Sequence, residues 1–378
     1  MRNLNTLPKA HLHLHFTGSL TFDTLSELAA EQGIRLPAAL QTGMPVHVSA
    51  DKRGWFRFQR LYDAARACVR SEATMRRVVD EAARNDASEG SVRVEIQIDP
   101  TSYAPFVGGI TPALEIVLDE ASLASARYGI SVGVIVAASR VRHPLEARTL
   151  ARLAARHADA GGGADGWGAV TSVSESNDAN ESAGISGQAG PSDAGRAGVS
   201  SGVIGFGLSN DERSGHTADF APAFRLARDA GLASVPHGGE LRGPAHVARI
   251  LEFLDPQRIG HGVRATENAE VLARLVDAGV AFEVCPTSNV ALGVYPTLAD
   301  VPLPQLLAAG ATVALGADDP LLFGSRLTAQ YEIARTIHGL DDFALADLAR
   351  ASINASLASE AQKRHWLAGV NTWLATSD

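Results

Sequence analysis

The chain has 378 residues, 46% of them hydrophobic, and a formal net charge of −9. That length and apolar content support a large core, and the acidic balance excludes the basic face that a nucleic-acid surface needs. Two cysteines, Cys68 and Cys285, offer no disulfide framework, and no apolar run reaches the about 20 residues of a membrane span. The first residues also lack the apolar core of a secretory signal, so a cytoplasmic protein without nucleic-acid or membrane partners is expected.

Residues 10–16, Ala-His-Leu-His-Leu-His-Phe, alternate imidazole with apolar side chains. Period-2 alternation predicts a strand with His11, His13 and His15 on one face. Histidines at i and i+2 on a strand can bring ring nitrogens to one metal ion, while a half-buried strand with locally bonded imidazoles explains the same pattern. A turn at 17–19 leads into an amphipathic helix at 20–32, and 36–53 is rich in loop-forming residues. An aromatic helix at 55–70 places Phe58 and Tyr62 at i and i+4, on one face. Helices then follow at 74–89, 113–127 and 144–160, with strands at 92–98 and 130–138 between them.

The composition changes at 161–202, which is dominated by Gly, Ser, Ala, Asn and Asp. Such a tract cannot bury enough surface to offset its ordering entropy, so it is expected to be a disordered linker or surface insertion. Beyond it the alternation resumes, with strands at 203–208, 233–236, 258–259, 281–285 and 312–316 and helices at 218–230, 245–254, 267–278, 303–309 and from 327 onward. Eight strands separated by helices predict a (β/α)8 TIM barrel as one domain over 1–378, with extra helices after the first strand and the tract before the fourth. Two doubly wound domains split at the tract are the alternative.

Polar residues recur where these strands hand over to loops: His13 and His15, His237, His261, then Asp318 and Asp319. In a barrel those ends open on one face, where three histidines and a carboxylate can form a zinc shell with an open position. Pro8-Lys9-Ala10-His11-Leu12-His13-Leu14-His15, His237-Gly238-Gly239-Glu240, Gly260-His261-Gly262 and Asp318-Asp319-Pro320 resemble, in order, the motif series of the adenosine deaminase family. Cys285-Pro286-Thr287-Ser288-Asn289 resembles a further segment of bacterial members.

The resemblance implies one zinc ion per chain, held by His13, His15, His237 and Asp318. Zinc lowers the pKa of a water molecule for attack at C6 of a purine. It implies that His261 orients and deprotonates that water together with Asp318, that Glu240 is the acid toward N1, and that Asp319 meets N7. The expected substrate is a purine nucleoside, adenosine or 2′-deoxyadenosine; 6-aminodeoxyfutalosine, free adenine and an inactive nucleoside-binding protein are the alternatives. Cytidine-type deaminases need a Pro-Cys-x-x-Cys site that two distant cysteines cannot build. A binuclear site needs a lysine at a mid-barrel strand end, and Lys9, Lys52 and Lys363 are not so placed.

Five positions depart from the family pattern or allow two readings. His11 stands where the family has Glu, and packing or hydrogen bonding is expected of it. Thr17 replaces an Asp directed at the ribose, so with His15 it borders the expected sugar site and predicts weak sugar discrimination. Asn210 replaces a Gly whose backbone approaches purine N3. Phe58 and Tyr62 sit where the family has an aromatic lid, although a packed pair explains them equally.

Overall fold

The computed structural model describes residues 1–158 and 202–376. Eight parallel strands form one sheet in sequence order: β1 (Lys9–His15), β2 (Ser91–Ile98), β3 (Ser131–Ser139), β4 (Val203–Ser209), β5 (Ala233–Gly238), β6 (Arg258–His261), β7 (Ala281–Val284) and β8 (Val313–Leu315). The sheet closes just past β8. Asp318 donates its N–H to His13 O and accepts from the His15 N–H, both at 3.0 Å. The strands are buried on both faces, as a barrel wrapped in helices requires, and one sheet runs through both halves of the chain. The (β/α)8 architecture is therefore the one observed, not two doubly wound halves.

Between β1 and β2 lie three helices, Phe22–Glu31, Lys52–Arg66 and Glu72–Ser88. Their starts follow from local chemistry: Thr21, Asp51 and Ser71 each accept an N–H of the first turn, satisfying donors the helix cannot. The first two carry an apolar cluster of their own, in which Leu25, Leu28 and Phe58 meet Leu322 and Phe323 from beyond β8. Loop 41–51 is stitched to that cluster by Val46 N–H to Leu322 O and Val48 N–H to Ala291 O, each 2.8 Å. The expected loop thus becomes a wall over the strand ends.

One expectation about β1 is corrected. His11 pairs with Val94 and Leu14 with Ile96, so three steps along β1 span two along β2 and the side-chain alternation reverses. His13 and His15 face the barrel interior, whereas His11 does not share their face. Its Nδ1 lies 2.7 Å from Asp86 Oδ1 in the helix Glu72–Ser88, and its Nε2 accepts the Ala317 N–H at 3.0 Å. The hydrogen-bonding role expected of His11 is what the structure shows.

Residues 159–201, which hold nearly all of the 161–202 tract, lie outside the described residues. The flanks meet at the start of β4: Val203 donates to His157 O at 2.6 Å, and Ala158 bridges to Val203. This is the end of the barrel opposite the loops that follow the strands. Replacing 162–199 by a short Gly-Ser turn should shift the melting temperature by no more than about 3 °C, because each doubling of loop length costs only about 0.6 kcal/mol. It should leave catalytic rate within about twofold, since strand-to-helix loops build barrel active sites. A folded deletion variant with turnover down tenfold would show that the tract reaches the site.

Candidate active site

A cavity of about 710 Å³ opens at the C-terminal ends of the strands and is bordered by His15, His237, Glu240, His261, Asp318 and Asp319. The chain is contorted to bring these groups together. His261 and Asp318 adopt φ of 64° and 62°, a left-handed backbone rare for such residues and concentrated at functional sites. Gly260 leaves room for two imidazoles at once: a Cβ there would lie 2.8 Å from His13 Cε1 and 3.1 Å from His237 Cγ.

The donor set fits a metal ion. One atom each of His13, His237, His261 and Asp318 lies within 4.8 Å of all the others. His15 Nε2 joins them, 3.1 Å from both His237 Nε2 and Asp318 Oδ1. His13 Nδ1 is committed to Glu283 Oε2 at 2.7 Å, while its buried Nε2 has no hydrogen-bond partner and faces Asp318 Oδ1 at 3.5 Å. A carboxylate behind a histidine in this way orients the ring and strengthens it as a ligand. Burial disfavours charge on His13, yet Asp318 and Glu283 outweigh it and lift its pKa to about 10. Asp318 and Glu283 thus favour positive charge at His13, and a bound cation would meet the same preference.

Of the five residues, His261 is set apart by its neighbour. Asn289 Nδ2 donates to His261 Nδ1 at 3.2 Å, so the neutral ring carries its proton on Nε2. Burial keeps it neutral, with a pKa near 3. Its Nε2 stands 4.0 Å from Asp318 Oδ2 and 3.7 Å from Glu240 Oε1 and presents a donor to the space between them. Asp318 is held by the Ser288 hydroxyl at 2.6 Å, and the adjacent imidazoles of His13 and His15 overcome burial to keep it ionised.

The other two acids behave oppositely. Burial, reinforced by the charges of Asp318 and Glu212, raises Glu240 well above the usual carboxylate range. Burial and Asp318 do the same to Asp319, whose Oδ1 has no partner. Each is a carboxyl pushed toward its protonated form beside one held ionised, the divergence by which acid and base roles are divided. Glu212 fixes the loop carrying Glu240 by accepting the N–H groups of Glu240 and Arg242 at 2.9 and 2.8 Å. Arg140 holds the His237 carbonyl at 2.9 Å. Glu283, Glu212, Asn289 and Ser288 were not assigned roles from the sequence. The available signal was a charged residue inside the short apolar strand Ala-Phe-Glu-Val.

The substrate side is less uniform. Asn210 lines the cavity at φ 75°, a conformation suited to the glycine it replaces, with its side-chain carbonyl turned onto the Asp211 N–H at 2.7 Å. Thr17 is fully buried, bonds the Tyr103 hydroxyl at 2.5 Å and does not border the cavity. Phe58 and Tyr62 both border it, and Phe58 also stacks on Phe323 with ring centroids 5.6 Å apart. Packed pair and cavity wall are thus the same feature.

Residues 8–168 and 197–373 match the family model for adenosine deaminase, the interruption falling inside the Gly/Ser tract. A Streptomyces virginiae protein provisionally named adenosine/adenine deaminase is 51% identical over 374 residues, covering 99% of this chain and 98% of its own. Among solved structures, adenine deaminase from Arthrobacter aurescens superposes with a TM-score of 0.80 at 26% identity, covering 98% of this chain and all of its own. An amidohydrolase from Burkholderia ambifaria with bound zinc shares the fold, with a TM-score of 0.75 at 20% identity over 99% of this chain and 94% of its own. With a histidine cluster able to hold a metal ion, the paired acids and a family match spanning both halves of the barrel, the chain belongs to the adenosine deaminase family.

Proposed function

We propose that this protein hydrolyses the 6-amino group of adenine compounds (adenosine, 2′-deoxyadenosine or adenine) to the 6-oxo purine and ammonia, using one zinc ion. The observation that carries the reading is the buried Glu240, three residues past His237 and 3.7 Å from His261 of the His/Asp cluster, in surroundings that push its pKa up. A binding protein has no need of that acid. The two names borne by the S. virginiae relative support both base and nucleoside as substrates. His13, His15, His237 and Asp318 are the proposed ligands, and a divalent ion held by them supplies a Lewis acid that makes water a nucleophile near neutral pH.

The chain's own groups do the rest. Asp319, protonated, donates to N7 and Glu240 faces N1, which fixes C6 against the histidines. The Nε2 proton of His261 orients the attacking water. As oxygen bonds to C6, Asp318 takes a proton from the water and Glu240 delivers its own to N1, so the ring can accept the electron pair. On collapse the C6–N bond breaks, Asp318 returns its proton to the departing amine, and the C6 hydroxyl proton restores Glu240. Ammonia and an N1-protonated 6-oxo purine leave.

Metal analysis of protein purified without added metal should give one zinc per chain, with chelation abolishing ammonia release; two tightly bound ions would overturn the single-metal reading. Glu240→Gln should keep the metal and lose about 10²–10⁴-fold in turnover, the usual contribution of a general acid. The working form of Glu240 is the protonated one and burial raises its pKa, so wild-type kcat/KM should hold through neutral pH and fall as pH rises through that value. If the alkaline fall persisted unchanged in Glu240→Gln, another group would be the acid.

A further inference from the structure

The reaction assigned above occupies only part of the strand ends. C6 lies at the histidine cluster, N1 faces Glu240 beyond β5, and N7 faces Asp319 beyond β8. Going round the barrel, the opposite edge of the purine, carrying N3 and N9, must face the ends of β2, β3 and β4. There the structure holds a polar side chain that nothing in the protein satisfies.

Gln97 is the next-to-last residue of β2 and pairs in register with His15, so its side chain enters the cavity one strand over from a metal ligand. It is only 2% exposed, and neither its Oε1 nor its Nε2 has a hydrogen-bond partner. The Ser139 hydroxyl at the end of β3, also on the cavity, is likewise unpartnered. The Gln97 amide lies across the cavity floor toward β4, where Gly207 has no side chain; a Cβ at Gly207 would sit 3.5 Å from Oε1 and 3.4 Å from the Ala137 Cβ. A buried amide left unpaired is destabilising, so its retention calls for a ligand that completes it.

A primary amide presents one acceptor and one donor side by side. Free adenine presents the reciprocal pair on its far edge, the N3 acceptor and the N9–H donor, joined through C4. A 9-substituted purine has no N9–H and would leave Oε1 buried and unsatisfied. The Thr17 hydroxyl, buried behind the cavity wall, is spent on Tyr103 and offers nothing to a sugar. Resting on the deaminase reading above, we infer that Gln97, flanked by Ser139, pairs with the N3/N9–H edge of the base and selects 9-unsubstituted 6-aminopurines, free adenine first, over nucleosides.

The test is ammonia release by the zinc-loaded, full-length protein from adenine, 9-methyladenine and adenosine. Adenine should exceed 9-methyladenine in kcat/KM by at least about 10²-fold, because a site built to bond a polar hydrogen strongly rejects the analogue lacking it. Gln97→Leu, checked for one bound zinc per chain, should cut the adenine to 9-methyladenine ratio by about 30-fold or more. Parity between the two substrates in the wild-type protein overturns the inference without any variant, as does a wild-type preference for adenosine or a ratio that Gln97→Leu leaves unchanged. In all of those results ammonia is still formed and the deaminase reading survives. No ammonia from any of the three compounds brings down that reading and the inference with it.

Discussion

A buried chain of alternating charge runs through the barrel and ends on His13 of the histidine cluster. Arg93 on β2 bonds Glu95 at 2.6 Å, Glu95 bonds Arg258 on β6 at 2.5 Å, Arg258 bonds Glu283 on β7 at 2.7 Å, and Glu283 bonds His13 on β1 at 2.7 Å. All five side chains are essentially inaccessible. The four charged groups before His13 sum to zero, and deleting one leaves an uncompensated buried charge at a cost of about 3–5 kcal/mol. Backbone groups of the C-terminal segment cap the chain from below: Arg258 donates to Ala355 O at 3.0 Å, and Leu357 donates to Glu95 at 2.8 Å. Apolar side chains in the same places would fill the barrel at least as well, but they would not set the direction of the His13 ring.

The side chains of the cluster are thus positioned from two sides. Below, Glu283 fixes the rotation of His13. Above, the backbone does the work, with left-handed turns at His261 and Asp318 and tight passages at Gly260 and Gly316, where a Cβ would meet His13 at 2.8 and 2.7 Å. The seam between β1 and the residues after β8 belongs to the same arrangement. Asp318 ties the sheet closed through its main chain while its side chain enters the cluster. His11, on the other side of that seam, ties Asp86 to the Ala317 N–H and so anchors the residue just before Asp318. Closure of the barrel and assembly of the site are one event, which is why the irregular register of β1 sits there.

Much of this was legible in the sequence. Strand ends carrying His237, His261 and Asp318 stand out because a polar residue follows a run of β-branched or small apolar ones, and the alternation around His13 and His15 marks a strand. The face of His11 was not legible, because one inserted residue reverses alternation without altering the His-x-His-x-His pattern. Pairings between distant residues were equally hidden. Nothing local to residue 13 points to Glu283, and nothing local to Thr17 points to Tyr103, 86 positions away. Charged residues at 93, 95, 258 and 283 inside short, otherwise apolar strands were the available sign of a buried ionic network, since such groups go inside a protein only when paired.

Apart from His11, which bonds Asp86 and the Ala317 N–H, the departures from the family pattern fall on one side of the barrel. β1, β5, β6 and β8 supply the histidines and acids, and every one of their expected residues is present around the cluster. Thr17, Asn210 and Gln97 instead border or back the half formed by the turn after β1 and the ends of β2 and β4. That half lies apart from the cluster, so side chains there can change without disturbing the ionic chain beneath His13 or the acids beside the cluster. The separation has a physical basis: the reacting carbon must meet fixed groups within hydrogen-bond reach, while the far edge of the ring needs only complementarity of donors, acceptors and shape. A scaffold divided in this way can keep its cluster constant while a few polar side chains on the other side of the cavity vary.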